Sequence, residues 1–191
     1  MNTLTLTLNK KNIIEAVKAD TYITGLADKS ADAVKNAALA YNEQAGDDAY
    51  HEVKLFRTLR EALANFEANM VEYVDTSDPN ASISDTLTQG SDTFVITATV
   101  GSRFNKAFAR TLSSLAESYI INLMLYTWWQ SLKPNLAKDY FGFANSSLVA
   151  VQRCLSKSAP AVSGSSYDGP TGEVVETNGS NGTNGSNENN G

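Results

Sequence analysis

Few side chains in this sequence are equipped for chemistry, and their spacing narrows the options further. The single histidine, His51, stands beside Glu52 at the start of an amphipathic stretch. Imidazole titrates near neutrality, so His51 is a formal general-base candidate, but no nucleophile or second acid lies at supportive spacing. It reads as a capping or surface histidine near a helix end. The single cysteine, Cys154, excludes an internal disulfide and, with only one histidine, excludes most Cys/His metal sites. It reads as a small apolar residue on a helix rather than a catalytic thiol. No glycine-rich phosphate loop, acidic metal cluster or serine nucleophile elbow occurs. The sequence therefore assigns no catalytic residue, no cofactor-binding residue and no metal ligand, and predicts no cofactor.

What remains is chemistry of contact. Arg103, Lys106 and Arg110 step by three and four, which sets three cations on one helical face. That face could hold phosphates, or it could be a solvated face or an intersubunit salt-bridge row. Cations are electrostatically misplaced at a helix N-terminus, which hints at an external anionic partner. Trp128 and Trp129 are adjacent, and neighbouring helical side chains point about 100° apart. Either an unusually large core takes both indoles or one of them reaches a subunit contact. In the tail, Tyr167, Val174 and Val175 are among the few larger apolar groups that could rest on a partner.

The elements that would position these residues follow from periodicity. Thr3 to Leu8 alternates with period two, as does Thr93 to Val100, and the two runs are expected to pair as a small two-stranded sheet. Everything from Asn9 to Asp92 is then an insertion between neighbouring strands. Asn9 is the expected N-cap of a first helix carrying Ile13, Ile14, Val17 and Tyr22 inward, with Gly25 as its stop. Residues 32–41 form a weak, alanine-rich helix. From Ala49 to Val74 the stripe runs through Val53, Phe56, Leu59, Leu63, Phe66, Met70 and Val74. Residues 75–90, with Asp78-Pro79-Asn80 and many Ser and Thr, read as a loop.

After the second strand, Phe104, Phe108, Leu112, Leu115, Tyr119, Leu123 and Tyr126 mark a long helix, widened by Ile120, Met124 and Trp128. Apolar residues over so much of its circumference predict burial on more than one side. Pro134 suits the first turn of the next helix, whose stripe is Leu136, Tyr140, Phe143, Ser147 or Leu148, Val151 and Leu155, ending near Lys157. A short connection makes the two helices antiparallel neighbours, so residues 103–157 form a helical hairpin. The predicted fold is mainly α: a helical bundle built on this hairpin, with a small two-stranded β element and an extended C-terminal arm.

Composition divides the chain in two. It has 191 residues, 42% hydrophobic and 19% charged, which fits one globular domain with chain to spare. All 15 Lys and Arg precede Pro160 while four of the 21 carboxylates follow it, so the body carries −2 and the tail −4 of the net −6. Residues 1–159 are read as the folded domain. Residues 160–191 are a low-complexity Gly/Ser/Asn-rich acidic arm that cannot offset its own ordering entropy. A nearly neutral body argues against a nucleic-acid binder held by phosphate neutralisation. The alternating N-terminus is no secretory signal and the apolar run from Tyr119 to Trp129 is too short to span a bilayer. The chain reads as a protein made in a cytoplasm.

The alternating Thr-Leu strand, then Ile13-Ile-Glu-Ala-Val-Lys-Ala-Asp-Thr-Tyr22-Ile-Thr-Gly25, then Tyr119-Ile-Ile, Trp128-Trp129 and Lys133-Pro134-Asn-Leu-Ala-Lys-Asp-Tyr140, together resemble a family of virion proteins of phages and prophages of Bacteroides-type bacteria. The resemblance covers about residues 3–159 in element order, and the alanine-rich segment, the 75–90 loop and the tail depart from it. It implies a head-to-tail connector, a portal adaptor or neck protein without catalysis. The implied partners are further copies in a homo-oligomeric ring, dodecameric in one arrangement, together with the portal and other neck or tail proteins. Contact with packaged DNA would be passive, with no sequence-specific nucleic acid and no membrane. The protein would reside in the virion after synthesis in the bacterial host cytoplasm. The alternative is a small cytoplasmic nucleic-acid-binding or regulatory helical protein of a mobile element.

Overall fold

A computed structural model of the chain describes residues 2–27, 45–46, 48–74, 79–101 and 104–156. The expected weak helix at 32–41, Arg103 and the whole C-terminal arm lie outside the described residues.

Strand β1, Asn2–Asn9, runs directly into helix α1, Lys10–Ala27. Helix α2 spans Ala49–Met70 and ends in a 3-10 turn, Val71–Tyr73. Strands β2, Ile83–Asp85, and β3, Thr93–Val100, follow, then a 3-10 turn at Lys106–Phe108 and the hairpin of α3, Ala109–Trp129, with α4, Pro134–Ser156. The fold is mainly α with a small antiparallel sheet, ordered β1-β3-β2.

The expected pairing of the two alternating runs is present, from Asn2 opposite Val100 to Asn9 opposite Thr93 without a bulge. The sheet has three strands rather than two, because Ile83–Asp85 pairs with Ala98, Thr97 and Ile96. This corrects the reading of 75–90 as loop throughout: three residues are too few to show a period against a Ser/Thr-rich background. Alternation does what it must for a sheet covered on one side. Leu4, Leu6, Leu8, Phe94, Ile96, Ala98 and Val100 are buried, while Thr3, Thr5 and Thr7 are exposed.

Against the inner face lies α3, which also packs on α1, α2 and α4. A helix with neighbours on nearly every side buries most of its circumference, as its pattern predicts. The hairpin is antiparallel: Ser118 Oγ lies 3.2 Å from Ser147 Oγ, and the rings of Tyr126 and Phe141 are 5.1 Å apart. Small residues Ala137 and Ala144, with Val151, form the buried seam of α4 at heptad spacing and let the two backbones approach.

Asn9 caps α1 as expected, its Oδ1 accepting from the Asn12 amide at 3.0 Å. Expectations shift in each of the four described helices. α1 continues past Gly25 to Ala27, and its inward position after Val17 is Thr21 rather than Tyr22. The Thr21 hydroxyl donates to the Lys18 carbonyl and accepts the Ala45 amide, so a polar group is satisfied where an apolar one was expected. In α2 the seam starts at Leu55, leaving Val53 exposed, and Val74 leaves the helix to bridge Val100 of the sheet. α3 begins at Ala109 instead of near Arg103, after the 3-10 turn. In α4, Phe143 faces outward, because the seam is carried by small side chains.

Candidate functional site

The residues singled out by sequence separate in space. Trp128 and Trp129 are both core, 1% and 0% exposed. Of the two alternatives the sequence leaves open, the large core that takes both indoles is the one present, and the subunit contact by Trp128 or Trp129 is not. Adjacent helical side chains do diverge, but α3 has protein on each of the sides to which they point. Trp128 meets α2: the His51 ring packs edge-on at 5.6 Å and Lys54 Nζ sits 4.0 Å from the indole centroid. Trp129 faces the connection to α4, with Lys133 Nζ 4.9 Å from its ring. Burial, with Arg57 nearby, lowers the Lys54 ammonium below its usual value, and the indole face partly replaces lost hydration.

Of the cationic row, Lys106 lies exposed in the 3-10 turn and Arg110 exposed at the start of α3, while Arg103 is outside the described residues. Tyr167, Val174 and Val175 are likewise outside them. Glu117, two turns along α3 from Arg110, is engaged: its Oε1 accepts the Asn9 amide at 2.9 Å, fixing α3 to the end of β1.

His51 belongs to a capping network. Asp48 Oδ1 accepts the amides of Tyr50 and His51, which satisfies the open N-terminus of α2. His51 Nδ1 lies 2.9 Å from both the Gly46 amide and Asp48 Oδ2. One nitrogen cannot accept and donate at once, so a bare Nδ1 takes the Gly46 bond, whereas a protonated Nδ1, in the neutral tautomer or the imidazolium, donates to Asp48. Cys154 is half-buried against the core, as a small apolar side chain is.

Two features are not legible from periodicity or motif. The first is Lys10, 8% exposed, whose Nζ donates to the carbonyls of Gln89 at 2.6 Å and Thr88 at 3.3 Å. It ties the β2–β3 connection to α1 and lines a cavity of about 210 Å³ with Lys18, Glu52 and Phe56. A cation in a helix's first turn is anomalous, and that anomaly was the only clue available. The second is the surface of α4 away from its seam, where Phe141, Phe143 and Val149 are exposed at separate angles around the helix. Phe141 and Leu148 form one bank of a groove of about 350 Å³, floored by Leu123 and Tyr126 of α3 and closed opposite by Asn65 and Asn69 of α2.

Among the described residues there is no group of three or more His, Cys, Asp or Glu placed to hold a metal ion, and no helix long and apolar enough to cross a membrane. No family model, curated protein or solved structure matches the chain.

Proposed function

We propose that the chain is a structural protein of a tailed-phage virion, forming a ring of the head-to-tail connector by subunit packing, without catalysis. The observation that carries the reading is the apolar surface that α4 leaves uncovered. Its inner seam is met by α3, yet Phe141, Phe143 and Val149 stand exposed at separate angles around the rest of the helix, and Phe141 borders an open groove. Exposed aromatic side chains of this kind suit a protein–protein contact. In a closed ring each subunit would offer one of these surfaces to a different face of its neighbour, and the contact would close by rotation. The loose resemblance over residues 3–159 supports the virion assignment, and the acidic arm would supply reach to the portal or an adjacent neck protein.

The test is assembly. Full-length protein, alone and with phage structural extracts, is measured by light scattering and electron microscopy. Rings of uniform mass are expected, and Phe141→Asp with Phe143→Asp should disperse them while the far-UV spectrum keeps its helical form. Failure to form rings under both conditions, or absence of the protein from purified particles, overturns the proposal. Strongly salt-dependent duplex binding by the purified protein would favour the nucleic-acid-binding alternative.

A further inference from the structure

Among the described residues the edge of the sheet formed by β1 is open, and the hydrogen bonds around it show which groups it offers. In an antiparallel ladder, alternate residues turn their N–H and C=O toward the neighbour and away from it. On β3, the Thr99 amide donates to Ser82 and the Val95 carbonyl accepts from Thr86, so the odd-numbered residues of β3 face the β2 side. Their partners on β1 are Thr3 and Thr7, and the Asn9 amide goes to Glu117 rather than to β3. The backbone groups of Thr3, Thr5 and Thr7 therefore point out of the sheet. Among the described residues nothing hydrogen-bonds to them, and Glu117 ends the open stretch at Asn9. The devices that usually guard an edge are missing: β1 has no charged residue, no proline and no bulge.

We infer that this edge pairs with the β1 strand of a second copy, antiparallel about a two-fold axis through Thr5. The occupant follows from the strand's own pattern. Outward-facing groups lie only on odd residues, so any ladder must set odd against odd and even against even. With Thr5 opposite Thr5 and Thr3 opposite Thr7, all three threonines bond. The same register places Leu4 opposite Leu6 on the core side and every threonine on the solvent side. A strand alternating strictly between Thr and Leu is thus complementary to itself in both hydrogen bonding and facing. The product is one continuous sheet, β2-β3-β1 followed by β1-β3-β2 of the second copy. This contact is isologous and independent of the connector reading; a ring-former that also made it would join rings back to back.

The experiment uses the full-length chain in analytical ultracentrifugation up to about 100 μM, a range that detects micromolar association. A dimer is expected. Thr5→Pro removes an outward N–H and leaves the ladder to β3 intact, and should weaken dimerisation at least about tenfold. Thr5→Lys and Thr5→Glu each set like charges across the axis and should be monomeric, whereas mixing the two should restore a heterodimer. That rescue separates a broken contact from a broken fold. A wild-type monomer throughout, an association that Thr5→Pro leaves unchanged, or a Lys/Glu mixture that stays monomeric would each overturn the inference. Rings that survive all three substitutions would overturn it and leave the connector reading standing.

Discussion

At the residue scale, burial rather than residue type sets what each side chain contributes. Leu112 and Leu115 belong to the same apolar stripe of α3, but Leu112 is fully buried and Leu115 only partly. Leu112→Ala should lower unfolding free energy by roughly 2–5 kcal/mol, and Leu115→Ala by clearly less, because the cavity left at a partly open site relaxes into solvent. Equal losses in denaturant titrations would contradict that ranking. Glu67 makes a second residue-scale argument. Its Oε1 is buried without a hydrogen-bond partner, and burial, with Asp85 of β2 adding repulsion and Arg60 opposing, raises its carboxyl above the usual 4.5. A raised folded-state value means that the folded protein holds this proton more tightly than the unfolded chain. The associated stability is fully present below the unfolded value and is lost as pH rises through the folded one. Glu67→Gln keeps a neutral group at every pH, so the variant should gain on the wild type as pH rises from the usual 4.5 toward neutrality. Urea midpoints that differ by a constant amount across that range would show that Glu67 titrates as it does in the unfolded chain.

At the element scale, the strands and helix seams were legible wherever one period ran long enough. β1, β3 and their pairing could be read because strict alternation fixes both facing and register, and α3 because its apolar circumference was too wide for a single neighbour. The sequence leaves the tryptophans open between core and contact for a related reason: divergence of adjacent side chains is a property of one helix, whereas the count of neighbours around α3 is a property of the tertiary fold. Phe143 reads as inward because its size dominates the apolar pattern of α4, whereas close helix packing selects Ala137 and Ala144. Lys10 was invisible because its partners are backbone carbonyls of Thr88 and Gln89, which any sequence would supply. A prediction at this scale concerns the start of α2. Asp48 holds two helix amides and stands beside His51. Asp48→Ala should therefore cost about 0.5–2 kcal/mol, whereas Asp48→Asn, which keeps the accepting oxygen, should cost less. If the two variants melt together below the wild type, charge rather than the cap is what matters there.

At the scale of the whole molecule, the two ends of the chain are unequal. β1 supplies Leu4, Leu6 and Leu8 to the centre of the core, joins β3 along eight residues, and anchors α3 through Asn9 and Glu117. Without it the sheet shrinks to β3 with the three residues of β2, a pair too small to persist alone, and the face of α3 that β1 covers is bared. α4, in contrast, has its last buried residue at Val151 and ends at Ser156. Deleting residues 2–9 should accordingly abolish the cooperative thermal transition, while deleting 157–191 should leave its midpoint nearly unchanged. The same pair of truncations bears on assembly. If the acidic arm serves a neighbouring subunit or the portal, the protein lacking 157–191 should fold normally yet enter particles poorly. Full incorporation of that truncated protein would reduce the arm to a solubilising extension and leave the exposed apolar side chains of α4 as the only described surface on which the connector proposal rests.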